Sequence, residues 1–160
     1  MVRKGSPKSQ KHGRAVASNR RAYYDYELLD RYEAGLVLKG TEIKSIRAGR
    51  ADLRDAYARP QNGELWLVNA YIAPYDSASI NNHDPRRPRK LLLHRDEINK
   101  LTSTVAEKGL TLIALRLYMK DHLAKVELAL ARGKRQYDKR RAIIDRELDR
   151  TARGAMRSVR

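Results

Sequence analysis

Leu123-Ala124-Lys125-Val126-Glu127-Leu128-Ala129-Leu130 alternates along its length: Val126, Leu128 and Leu130 point one way, and Lys125, Glu127 and Ala129 the other. A period of two marks a strand with one buried face and one wet face. Across a turn at Lys120-Asp121, residues 110–119 form a second apolar run, and the two together read as a hairpin. Before it, Ile98, Leu101 and Val105 fall at helical spacing over residues 96–108, with Gly109 as the stop. Residues 56–59 and 65–72 read as strands on either side of Asn62-Gly63, a pair suited to a tight hairpin turn. The loop 74–88 holds Pro74, Pro85 and Pro88 with Arg86 and Arg87, followed by Arg89, and is predicted to cross the surface. Thr41 is an N-cap candidate for a short helix through Arg47, ended by Gly49. Residues 23–29 and 32–38, rich in Tyr and Leu, read as strand with a bend or short turn at Asp30-Arg31. Six or so antiparallel strands with two or three short helices predict a mainly β fold, a small OB-like barrel that removes its own edges. The ferredoxin-like RNA-recognition sheet is disfavoured, because its stacking motif calls for Phe or Tyr between glycines and the chain has no Phe.

The 160 residues carry 35 Lys and Arg against 19 Asp and Glu, a formal charge of +16, so the expected partners are polyanions. The charge lies at the ends. Residues 1–22 hold seven basic side chains and no acid, and residues 131–160 hold eleven against four acids, while the stretch between is nearly neutral. Three segments follow: a basic N-terminal arm at 1–18, disordered when alone because it has too little apolar surface to bury; the OB-like barrel at 19–132; and a basic tail at 133–160. With no Cys and with His12, His83, His94 and His122 at no metal-ligand spacing, neither a metal nor another cofactor is expected. No run approaches the roughly 18–20 apolar residues of a membrane span, and no apolar signal region follows the basic start, so a cytoplasmic location without membrane attachment is expected. No nucleophile–base pair stands out, which argues against an enzyme.

In the tail, Arg146, Arg150, Arg153, Arg157 and Arg160 recur at spacings of 4, 3, 4 and 3. On a helix they fall within a stripe roughly 80° wide, with Ile144, Leu148, Ala155 and Val159 opposite. Such a helix suits a membrane surface, a docking site on the body, or nucleic acid. The thin apolar face, without an aromatic, argues against the first two. Aligned guanidiniums repel one another until phosphates lie beside them, so the tail is expected to be disordered when free and helical when bound. Just before it, Lys134, Arg135, Lys139 and Arg140 flank Tyr137 and Asp138, combining phosphate neutralisation with a ring on which a base can stack.

Five ordered blocks resemble the bacterial SsrA-binding protein family, SmpB. They are Asn19-Arg20-Arg21-Ala22, Tyr32-Glu33-Ala34-Gly35-Leu36, Gly40-Thr41-Glu42-Ile43-Lys44-Ser45-Ile46-Arg47, Arg89-Lys90-Leu91-Leu92-Leu93-His94 and Gly133-Lys134-Arg135-Gln136-Tyr137-Asp138-Lys139-Arg140. The resemblance covers residues 19–140; beyond that it is one of composition and length. The family often has an aromatic near position 148, where Leu148 stands, and commonly His where Tyr137 stands, so imidazole chemistry does not carry over but stacking does.

The resemblance implies a monomeric factor that binds the tRNA-like domain of transfer-messenger RNA and works in trans-translation. Its tail would enter the decoding region of the stalled ribosome, with the elongation factor Tu complex as an indirect partner. Asn19, Arg20, Arg21, Glu33, Leu92 and Lys125 correspond to positions that contact or support RNA. Lys125, on the wet face of its strand, fits a phosphate contact. Glu33 suits either RNA donors or a structural hydrogen bond, Leu92 in its apolar run reads as core, and 19–21 suits an RNA grip or a polar approach to the barrel. A small basic ribosomal protein is the competing reading.

Overall fold

The computed structural model describes residues 14–77 and 82–158. Two long strands, β8 (Thr111–Lys120) and β9 (Leu123–Gly133), form the hairpin around which everything else is built. Its turn is Asp121-His122, one residue later than the sequence indicates, with both residues at positive φ. That conformation matches the twist of the flanking strands. The Asn62-Gly63 turn uses the same geometry to join β4 (Tyr57–Gln61) to β5 (Glu64–Val68).

Beyond the hairpin, β8 pairs with β4, β5 with β7 (Arg89–Leu92), β7 with β2 (Tyr26–Leu36), and β2 returns to β9. Every pairing is antiparallel, and the six strands close into a ring. β1 (Ala15–Ser18) pairs with β8 at residues 116–118, past the stretch that β4 occupies, so these last residues of the expected arm belong to the sheet. Residues 1–13 of that arm lie outside the described residues. β3 (Ala51–Asp52) and β6 (Tyr71–Ile72) make a separate short pair.

The inward side chains Leu65, Leu67, Leu91, Leu112, Leu117, Val126 and Leu128 fill the barrel, with Ile46 of α2 (Gly40–Arg47) and Leu101 of α3 (Arg95–Lys108) in the same core. α3 ends at Gly109 in the left-handed conformation, as its sequence indicates. The bend at Asp30-Arg31 is a register shift between Leu28 and Arg31 within one long strand.

Residues 23–25, read above as the start of a strand, belong to the helix α1 (Arg20–Asp25). The Asn19 side-chain oxygen accepts from the Ala22 N–H at 3.2 Å, and its amide donates to the Ala114 carbonyl at 3.2 Å. This cap, with Ala22 buried on the barrel wall, overrides the strand preference of Tyr23 and Tyr24. Ala22 meets Ile113, Leu115, Ala129 and Ala131 in a second apolar layer outside the barrel. The expected wet face of β9 is therefore dry at Ala129 and wet only toward Lys125.

The first helix-capping position also differs: Lys39, not Thr41, precedes α2, and the Glu42 carboxylate accepts from the Lys39 N–H at 2.8 Å. Thr41 instead bonds Nδ1 of His83 at 2.9 Å, while Nε2 of His83 meets the Ile72 carbonyl at 2.9 Å. The surface loop is thus pinned by one buried imidazole. Below it, Glu42 takes Arg87 at 2.6 Å and Arg89 at 2.8 Å, with Glu42 and Arg89 both at 0% exposure. Burial pushes the Glu42 carboxyl up, but the bonds from Arg87, the Lys39 N–H and Arg89 outweigh it and hold it low.

The tail helix, α4, covers Gln136–Ser158 and so begins ten residues before the Arg stripe.

Candidate nucleic-acid interface

Inside the barrel, Ala34, Leu91 and Val126 are buried; on the other side of the pleat Leu92 and Lys125 face out, with their neighbour Gly35 covered by Leu92. Register places those three opposite one another: Gly35 pairs with Leu92 on β7 and with Lys125 on β9, and Lys125 pairs in turn with Tyr118 on β8. Leu92 is 51% exposed, which overturns its reading as core. In a run of three leucines the pleat sends Leu91 inward and Leu92 outward, and only the register decides which. A Cβ at Gly35 would lie 3.2 Å from the Leu92 Cβ, so the missing side chain lets Leu92 lie flat across the strand.

Glu33 sits two residues along the same face. Its carboxylate accepts from the Tyr118 hydroxyl and from Lys120 Nζ at 3.4 Å. The Tyr118 hydrogen bond is the main cause that holds the Glu33 carboxyl below the usual range, with Lys120 and Lys125 adding to it. Burial and the same bond push the Tyr118 hydroxyl up. The patch therefore presents a fixed carboxylate, a cation at Lys125 and a bare apolar side chain, three contact chemistries that suit an RNA loop. Tyr118, Lys120 and Gly35 went unread in the sequence. A glycine inside a strand was the one available signal, since it marks a close approach.

A second cluster joins α1 to α4. The Lys134 N–H donates to the Asp25 carbonyl at 3.0 Å and its Nζ to the Tyr23 carbonyl at 3.3 Å. Lys139 pairs with Asp25 at 3.3 Å and lies 6.0 Å from the Tyr24 ring centre, and Arg21 reaches Asp25 at 2.9 Å. Two of the expected RNA-facing cations thus anchor the tail. Arg20, Arg135, Asp138 and Arg140 remain exposed beside them. Asn19 is 2% exposed with its side chain committed, so it acts by starting α1 and not by touching a ligand.

Farther along α4, Arg146, Arg150 and Arg153 line one exposed side with Asp149 among them, while Ile144 and Leu148 are exposed on another. The Tyr137 and Arg157 side chains and all of Arg160 lie outside the described residues. Among the described residues, no group of three His, Asp or Glu side chains could hold a metal ion, and no helix is long and apolar enough to cross a membrane.

The family model described as SmpB protein matches residues 16–158. The chain belongs to the SmpB family. The SsrA-binding protein of Thermobifida fusca is 53% identical over 160 residues, covering 100% of both chains. That of Carboxydothermus hydrogenoformans is 54% identical over 143 residues, covering 89% of this chain and 96% of its own. A chain from the solved structure described as "tmRNA-SmpB: a journey to the center of the bacterial ribosome" has 53% identity and a TM-score of 0.64, covering 79% of this chain and 92% of that one. The SmpB match spans the barrel, the α1–α4 joint and the whole of the tail helix, so both clusters lie within it.

Proposed function

We propose that this chain binds the tRNA-like domain of transfer-messenger RNA and brings it to stalled ribosomes for trans-translation, as a binding factor and not an enzyme. The observation that carries the reading is the convergence of Glu33, Leu92 and Lys125, from three strands, on one outward patch of the barrel. Family membership supports the identity of the RNA, since relatives of this chain are SsrA-binding proteins and a similar chain was solved with tmRNA and the ribosome.

In this mechanism the barrel patch grips the folded RNA loop through Lys125 to phosphate, Glu33 to base or ribose donors, and Leu92 to an apolar base face. Arg20, Arg21, Arg135 and Arg140 supply further phosphate contacts around the α1–α4 joint. The tail enters the decoding region with Arg146, Arg150, Arg153 and Arg157 toward ribosomal RNA. The factor acts as a cytoplasmic monomer, and elongation factor Tu meets it only through the shared RNA.

The test is a titration of the full chain against labelled tRNA-like RNA over a range of salt concentrations. Tight, salt-dependent binding that Lys125→Ala weakens is expected. A chain that ignores this RNA and copurifies stoichiometrically with every ribosome would instead be a structural ribosomal protein.

A further inference from the structure

The outward side of the barrel does not stop at Leu92. Lys90, two residues earlier on β7, faces the same way, because Arg89 and Leu91 are buried between and beside them. Lys90 is opposite Trp66 on β5, and Trp66 is opposite Arg59 on β4. Leu65 and Leu67 point into the core, so Trp66 points out, half-covered. The Val37 N–H donates to the Lys90 carbonyl at 3.0 Å, and Val37 is itself exposed. A continuous rung, Arg59, Trp66, Lys90 and Val37, therefore lies next to the rung of Leu92, Gly35 and Lys125.

We propose that this rung is a second RNA contact: a base stacks on the Trp66 indole while Arg59 and Lys90 hold the phosphates on either side. The inference rests on the RNA-binding reading above and extends it across the barrel. Three observations support it. Among the described residues the Trp66 ring has no hydrogen-bond or cation partner, although an indole presents both a donor and a π face. The Arg59 guanidinium has no carboxylate partner among them, only Gln61 at 3.4 Å. Lys90 pairs with Glu64 at 2.6 Å on a partly exposed surface, where such pairs are weak and a phosphate can compete. Arg59, Lys90, Lys120 and Lys125 outnumber Glu33 and Glu64 on the joined face, so a polyanion is favoured over an acidic or neutral strand partner. Diagonal neighbours on a sheet lie about 7–8 Å apart, so one RNA strand can meet Leu92 and Trp66 in succession. An aromatic ring between cations is the usual platform for an unpaired base.

The chain contains a single tryptophan, so its fluorescence reports this rung alone. The full chain is titrated with the isolated tRNA-like RNA, and affinities of variants are measured separately with labelled RNA. Saturating RNA should quench the emission; Trp66→Ala should bind about tenfold more weakly, and Trp66→Phe should recover part of that loss. Arg59→Gln should reduce the salt slope by about 0.7–0.9. Circular dichroism of each variant checks that the barrel is intact, and Trp66→Phe keeps the test valid if the alanine variant misfolds. Full-affinity binding with unchanged emission and no loss in the Phe and Gln variants would overturn this inference alone. Quenching by ribosomes but not by the RNA would reassign the rung to ribosomal RNA and also overturn it. No binding at all by the unaltered chain would remove the underlying function as well.

Discussion

Glu33 makes a structural hydrogen bond, one of the two alternatives the sequence left, without closing off the other. It is a structural acceptor for Tyr118 and, still partly exposed, a surface carboxylate beside Lys120 and Lys125. Because the Tyr118 hydroxyl is the main cause of its lowered pKa, Tyr118→Phe should let the Glu33 carboxyl titrate nearer the ordinary value of about 4.3, which a carbon-13 NMR titration would follow. No upward change would place the cause in the lysines. If Lys125 meets a phosphate as proposed, Lys125→Ala should lower the salt slope of RNA binding by roughly 0.7–0.9 with thermal stability nearly unchanged. Weaker binding at constant slope would mean that Lys125 works by supporting the strand. The outward turn of Leu92 was illegible in the residues alone for a plain reason: three consecutive leucines look alike, and the pairing with Gly35 that sets the middle one outward is a long-range fact.

At the scale of elements, the strands that could be read were those with strong local signals, such as the alternation in β9, the Asn62-Gly63 turn and the Gly109 stop. α1 was not readable, because six residues with two tyrosines carry no helical period and depend on the Asn19 clip to β8. Asn19→Ala should cost about 1–2 kcal/mol in chemical denaturation, through loss of the cap and of the bond to Ala114. The buried charge group linking α2 to β7 was likewise hidden, since Glu42 stands 45 and 47 residues before its partners Arg87 and Arg89. Glu42→Gln leaves buried Arg89 without its counter-charge and should destabilise the fold by about 3–5 kcal/mol. A carboxyl held below its unfolded pKa stabilises the fold above that pKa and loses the contribution as pH falls through the folded value. Acid unfolding of the native chain should therefore steepen below about pH 4.3, and the Gln variant should lack that component. In α4, Arg150→Pro should abolish trans-translation by breaking the helix, at a cost of about 3 kcal/mol, whereas Arg150→Ala should only weaken it. Equal, mild effects would describe a tail that works extended.

Across the whole molecule, the Glu42–Arg89 pair apart, charge and core are separated: the main apolar clusters sit within the ring and beneath α1, and the tail helix leaves Ile144 and Leu148 in solvent. Removing residues 141–160 spares β9 and the Lys134 and Lys139 contacts with α1. The shortened chain should keep its melting temperature and its affinity for the isolated RNA, while losing trans-translation; a loss of RNA affinity as large as the loss of trans-translation would show that the barrel does not bind the RNA independently of the tail. The ring itself bears on how the protein is made. β2, near the start of the barrel, has β9 as its partner from Tyr26 opposite Gly133 to Gly35 opposite Lys125, so its edge stays open through most of synthesis. A message broken before the codon for Gly133 yields a chain with an incomplete strand and an unsealed core, the kind of product that aggregates or is degraded. Production of this barrel thus demands an intact template up to its last strand.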